Sequence, residues 1–329
     1  MARVLALAFG ILLCASHAQA FGPNGHMAVG TIADSLIAGT PTARRVRQIL
    51  GSNLRTASVW ADCAKGVNPT TFKYQGKGRF AECAIYENPA SERQMEAFVR
   101  RNTGNCDAPP GSEPCHKQYH YTDVAIQRTA YARGLVGTSD HDIVAAISAS
   151  IAVLQDQDCP PPFRIASKKE ALRILAHYIG DIHQPMHVAS VYLDPAGKLV
   201  DPDAGRFDPQ TETRGANDLL AGAKNLHALW DSMASSAAQS PPAAAVLTQA
   251  RALAGTGGDV SGWSTAWATE SLALGTRAFE GITYSAEDGS HHYKIVLPAG
   301  YSSFRTRAQR DQVTKAGARL AQVLTAIWP

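Results

Sequence analysis

The sequence predicts an all-α fold, a single compact multi-helix domain. Three observations predict it. Alanine is abundant, while Phe, Trp and Tyr together make up only 7% of the chain, a balance that favours helices. Apolar residues recur at three- and four-residue spacing in most segments. Period-two alternation is scarce, and only 281–297 reads as a hairpin. The first helix, 22–37, carries Met27, Ile32 and Leu36 at helical spacing. The second, 41–50, has Thr40 as N-cap and Pro41 at its first position. A third, 139–157, aligns Ile143, Ile147, Ile151 and Leu154 on one face, with Ser139 or Asp140 as its cap. Ser167-Lys168-Lys169-Glu170 is a capping box that opens the helix carrying His177. Helices over 217–234, 241–254, 265–279 and 306–328 complete the set. The Gly-, Pro- and Asp-rich stretches 66–77 and 192–215 read as loops.

Residues 1–20 read as a secretory signal: Arg3, an apolar core from Val4 to Ala15, and the small-x-small cleavage site Ala18-Gln19-Ala20. Cleavage there makes Phe21 the mature N-terminus. Cys14 is preceded by Leu13 rather than a small residue, which argues against a lipoprotein signal. No other long apolar run exists, so residues 21–329 are expected to form a soluble, unanchored chain. The net charge of +3 is too small by itself to indicate nucleic-acid binding through a basic surface. Asn68-Pro69-Thr70 fails as a glycosylation sequon because of its proline. Export makes disulfides plausible for Cys63, Cys83, Cys106, Cys115 and Cys159. Cys106 and Cys115, flanking a Pro-rich loop, form the best pair, and the odd count leaves at least one thiol unpaired. No cysteine pair has zinc-finger spacing, so a zinc site here must use His and Asp.

Such a site is suggested by His177-Tyr178-Ile179-Gly180-Asp181-Ile182-His183-Gln184-Pro185-Met186-His187. His177 and Asp181 are one helical turn apart on one face. Pro185 ends or kinks the helix near Gln184, and the turn can bring His187 back to the same cavity. His227 and Asp231 repeat the four-residue spacing. With His26, Asp62 and His120 these residues lie on or beside apolar segments, where an unpaired charge costs several kcal/mol, roughly. A set of imidazoles and carboxylates in such surroundings points to several zinc ions. His116, His141, His291 and His292 read as ordinary hydrogen-bonded histidines. His183 is off the His177 face and belongs outside the ligand set or behind it.

The order of these residues resembles the secreted zinc-dependent single-strand nucleases and 3′-nucleotidases of the S-one/P-one type, in the phospholipase C/nuclease-like fold. The resemblance runs through Phe21-Gly22-Pro23-Asn24-Gly25-His26, Trp60-Ala61-Asp62, His120-Tyr121-Thr122-Asp123, the His177 to His187 run, Asn225-Leu226-His227-Ala228-Leu229-Trp230-Asp231, and the closing helix. It implies a cleft with three zinc ions. Asp62, His120, His177 and Asp181 would hold one. The Phe21 α-amino nitrogen and carbonyl oxygen would hold the second with His26 and Asp181, and His187, His227 and Asp231 the third. The family usually begins with Trp where this chain has Phe21; the ligating atoms are backbone, so the change is compatible with binding. Lys65 would balance transition-state charge, with Asp123 orienting it. Asn217 would contact substrate, although Arg214-Gly215-Ala216-Asn217 stands where the family more often has Gly-Gly-Asn.

The implied reaction is endonucleolytic hydrolysis of single-stranded DNA and RNA to 5′-phosphate products, with 3′-nucleotides also cleaved, by a monomer in the periplasm or outside the cell. Tyr121, Tyr178 and the 192–215 loop are candidates for the wall on which an unstacked base rests. Two other readings stand beside this one. A zinc-dependent phospholipase C shares the three-zinc plan, but its last ligand is typically Glu rather than Asp231. A non-catalytic zinc-binding protein would close its sites with protein ligands, whereas the His187 set supplies only three.

Overall fold

The computed structural model describes residues 21–107 and 112–329. The leader expected at residues 1–20 lies outside the described residues. Helices dominate. In chain order they are α1 (Gly22–Leu36), α2 (Pro41–Leu50), α3 (Leu54–Ala57), α4 (Trp60–Ala64), α5 (Pro89–Arg101), α6 (Cys115–Gln118), α7 (Ile143–Leu154), α8 (Lys168–Asp181), α9 (Leu226–Asp231), α10 (Ala244–Ala252), α11 (Trp263–Phe279) and α12 (Tyr301–Ile327). The fold is all-α, with a few small sheets. No helix among the described residues is long and apolar enough to cross a membrane.

Helix α8 is the axis of the molecule. Every residue from Glu170 to Asp181 is buried, so it must be packed on all sides rather than along one stripe. Helices α1, α7 and α12 lie against it, and α11 packs in turn on α7. Local chemistry fixes its start: the Ser167 hydroxyl accepts from the Glu170 amide at 3.2 Å, relieving an otherwise orphaned helix-terminal N–H. The 27-residue α12 lies across α1, adding Val313, Ala316, Leu320 and Leu324 to the common core.

Several expected elements are corrected. Helix α7 begins at Ile143, because Asp142 rather than Ser139 or Asp140 caps it, accepting from the amides of Val144 and Ala145. Helix α5 was not expected, although Asn88 caps it and Pro89 occupies its first turn. The expected helix over 217–234 is confined to Leu226–Asp231. Its first half is instead a tight hairpin, Leu219–Ala221 against Lys224–Asn225. Leu219–Ala221 also pairs in parallel with Tyr293–Val296. Tyr293–Val296 pairs with Thr283–Glu287 in the expected 281–297 hairpin, completing a four-stranded sheet. The 192–215 segment is mostly irregular but holds the short antiparallel pair Tyr192–Leu193 and Leu199–Val200. Cys106 is bonded to Cys115 as expected. Cys63 is bonded to Cys83, and Cys159 is free.

Candidate metal centre

The last turn of α8 carries His177 and Asp181 into the interior, both wholly buried. Asp181 divides its two oxygens between neighbours. Its Oδ2 accepts from His120 Nδ1 at 2.9 Å and lies 3.2 Å from His177 Nε2. Its Oδ1 lies 3.2 Å from His26 Nε2, brought in from α1. The His26 and His177 rings stack, with centroids 3.8 Å apart. That stacking needs Gly180: a Cβ there would sit 2.8 Å from His26 Nδ1. Asp62, on α4, places Oδ1 3.5 Å from His177 Nε2 and 4.0 Å from His120 Nδ1. Two overlapping groups result, His26–Asp62–His177 and His120–His177–Asp181, each with ligand atoms within 4.8 Å of one another. Phe21 is buried at the start of α1, the helix that carries His26, and its carbonyl accepts from the Gly25 amide at 3.1 Å.

A further group, His187–His227–Asp231, meets the same 4.8 Å limit. Helix α8 ends at Asp181, and Pro185 opens a 3₁₀ turn, Pro185–His187, that redirects the chain. His187 Nε2 and His227 Nε2 face each other at 3.1 Å, and Asp231 Oδ2 is 3.4 Å from the latter. The opposite edges of the rings settle which nitrogens carry protons. His187 Nδ1 donates to the His120 carbonyl at 2.8 Å and His227 Nδ1 to the Gly215 carbonyl at 2.7 Å. Carbonyls only accept, so these Nδ1 atoms hold the protons. Burial first of all drives His187 down to about 4 and His227 down to about 3, so both rings are neutral near pH 7. Two Nε2 lone pairs and a carboxylate oxygen therefore converge. A proton can serve one such atom at a time, whereas a divalent cation serves all three.

The fit to metal extends across the cluster. Both His26 ring nitrogens, Asp181 Oδ1 and Asp231 Oδ2 are buried without a hydrogen-bond partner, a costly arrangement for a protein interior. His177 Nδ1 meets the Ser58 carbonyl at 2.6 Å. Gln184 Nε2 donates to Asp231 Oδ1 at 2.8 Å, leaving Oδ2 to face the imidazoles. These supporting contacts are of the kind that fix the orientation of metal ligands. Sequence reasoning missed them. Three are backbone carbonyls with no residue signature, while Gln184, a buried polar residue within the His177 run, was visible.

The other expected site residues are placed as follows. Lys65 Nζ pairs with Asp62 Oδ1 at 2.8 Å, and only 13% of its side chain is exposed. Burial pulls the ammonium down, but Asp62 and then Asp181 outweigh it and hold Lys65 above its ordinary value. Asp123 does not pair with Lys65. Its buried carboxyl is hydrogen-bonded to Glu212, and burial followed by the Glu212 charge pushes it well above the usual carboxylate range. Asn217 is half-buried, and its Nδ2 donates to the Arg214 carbonyl at 2.7 Å. Tyr178 is fully buried with its ring edge-on to His120, so it offers no exposed wall for a base. Tyr121 is half-buried. His183 bonds the Ile179 carbonyl and accepts from Arg319 at 2.9 Å, away from the cluster. His141 is hydrogen-bonded through both nitrogens, as expected. His116 is not: both of its ring nitrogens are buried without a partner.

Fold and site together define a helical protein with a buried cage of histidines and aspartates able to hold metal ions. A model of the S1/P1 Nuclease family matches residues 21–329. The chain belongs to that family, a group of generally zinc-dependent, all-α, phospholipase C-like phosphodiester hydrolases, and is a nuclease. No curated protein sequence matches it.

Proposed function

We propose that the mature protein is an exported tri-zinc phosphodiesterase. It cleaves single-stranded DNA and RNA endonucleolytically, leaves 5′-phosphates, and also dephosphorylates 3′-nucleotides. The observation that carries this reading is the convergence of lone pairs at His187 and His227 beside an Asp231 oxygen, together with the split Asp181 carboxylate. Asp62, His120, His177 and Asp181 would hold the first zinc. Phe21, through its freed amine and its carbonyl, would hold the second with His26 and Asp181. His187, His227 and Asp231 would hold the third. Bound zinc would supply activated water near neutral pH and positive charge opposite the phosphoryl oxygens.

The rest of the chemistry belongs to the chain's own groups. Asp181 presents one oxygen to each half of the cluster and so keeps the two halves in register. The carbonyls of Ser58, His120 and Gly215 hold the protons of His177, His187 and His227 on Nδ1, so that Nε2 stays a donor of electrons. Lys65, kept cationic by Asp62, faces the charge that builds on the phosphoryl group. Export follows from the leader expected at residues 1–20, which also frees the Phe21 amine; the two disulfides agree with an oxidising compartment. The protein acts as a monomer without a membrane anchor.

The test offers single-stranded DNA, duplex DNA, RNA, a 3′-nucleotide and phosphatidylcholine to purified mature protein. Cleavage of single strands and release of phosphate from the 3′-nucleotide, lost on chelation and restored by Zn²⁺, is the expected result. Choline phosphate release without nucleic-acid cleavage would make it a phospholipase. Zinc binding without turnover would make it a storage protein.

A further inference from the structure

Arg214, beside the metal centre, is held in a conformation that costs it free energy. It adopts φ +50°, a left-handed conformation that costs a non-glycine residue about 1 kcal/mol. Its side chain is 65% exposed although its ion-pair partner, Asp218, is wholly buried. The pairing is two-pronged: Nε donates to Asp218 Oδ2 at 2.8 Å and Nη2 donates to Oδ1. Asp218 is itself tied to the sheet, since its carbonyl accepts from the Tyr293 amide at 2.9 Å. The guanidinium is thus a fixed plane rather than a waving surface cation. Its Nη1 edge is the one Asp218 does not occupy.

Its position is equally specific. The next residue, Gly215, supplies the carbonyl that holds His227, and a Cβ on Gly215 would lie 3.4 Å from that ring. Glu113 lies within electrostatic reach of Lys65, Tyr121 and Arg214 alike. All three side chains therefore lie on the side of the metal centre that Glu113 faces. Of the three, Lys65 is nearly buried beside Asp62, whereas Arg214 is largely exposed.

We propose that Arg214 is a clamp for a phosphate flanking the one that is cleaved, and so favours polynucleotide over mononucleotide substrates. A planar guanidinium with one edge fixed and one presented suits a phosphate oxygen pair. Single-stranded nucleic acid supplies such phosphates in series, whereas a 3′-nucleotide carries only the reacting one. This inference rests on the nuclease reading above.

The test compares kcat and KM for a single-stranded oligonucleotide and for 3′-AMP in wild type, Arg214→Ala, Arg214→Lys and the double variant Arg214→Gln/Asp218→Asn. The double variant keeps a hydrogen-bonding pair without leaving a buried carboxylate unpaired, should Arg214→Ala fold poorly. Loss of one contact predicts that KM for the oligonucleotide rises about tenfold more than KM for 3′-AMP, with Arg214→Lys partly restored. The slope of log kcat/KM against log salt should fall by about 0.7 for the oligonucleotide, the share of one phosphate contact on a single strand. Equal losses on both substrates, or a fall in kcat alone, would show that Arg214 only supports Gly215 and would overturn the clamp. A wild-type protein that cleaves neither substrate overturns the nuclease reading itself.

Discussion

Gly215→Ala tests whether the metal centre depends on a backbone carbonyl. Gly215 has φ +56°, and a Cβ there would stand 2.4 Å from the Met186 carbonyl oxygen and 3.1 Å from Asp123 Oδ1. The left-handed backbone alone costs alanine about 1 kcal/mol. The clash is with buried main chain that cannot swing aside, and overpacking of that kind adds about 1–3 kcal/mol. The sum is a loss of about 2–4 kcal/mol. A control is available on the neighbouring hairpin: Gly222 has φ +71° and nothing within 4 Å of its would-be Cβ. Gly222→Ala should therefore cost about 1 kcal/mol, the conformational share only. Urea unfolding midpoints measure both. Because the Gly215 carbonyl holds His227 Nδ1 at 2.7 Å, Gly215→Ala should also lose about 10- to 100-fold in zinc affinity or activity, the usual range for a ligand's supporting partner. Equal unfolding midpoints for the two variants, with zinc content unchanged, would refute the reasoning.

Lys65→Ala should lower turnover about 100-fold through lost charge stabilisation while zinc per chain, read by elemental analysis, changes little; unchanged turnover would remove Lys65 from the mechanism. His116 is held neutral by burial, down to about 3 from an ordinary value of 6.5. The unfolded chain therefore binds a proton that the folded chain refuses between those values, and folded stability falls as pH drops below 6.5. His116→Phe should abolish that share, about 1.4 kcal/mol per pH unit; denaturation at pH 6.5 and 5.0 checks it, and parallel losses in the two proteins would contradict it. Replacing Cys63 and Cys83 by Ser opens a loop of 20 residues, worth about 3 kcal/mol by chain entropy, and should lower the melting temperature without reductant.

Much of the site was legible because its spacing is local. His177–Asp181 and His227–Asp231 each lie one helical turn apart, and Pro185 marks the turn that returns His187. Helix α5 is equally legible, from Asn88 as its cap with Pro89 and Glu92 in its first turn. The 217–225 hairpin was not legible: Leu219 and Leu220 read as helical, and the strand is settled by Tyr293–Val296, far along the chain. The partner of Asp123 was hidden for the same reason, since Glu212 arrives from a separate loop. Tyr178 illustrates a different limit, because on a helix buried on every side an aromatic residue gives no sign of which face is a cleft. His116 shows that a polar residue taken for a hydrogen-bonded core histidine can be left without partners.

The central claim is that a freed Phe21 amine joins the buried histidines and aspartates in holding three zinc ions. The direct measurement is zinc per chain, by elemental analysis, on N-terminally sequenced protein beginning at Phe21 and on protein retaining one residue before it. Three zinc ions in the first and two in the second is the result expected. The same count in both forms, or no stoichiometric zinc in the processed one, would contradict the account.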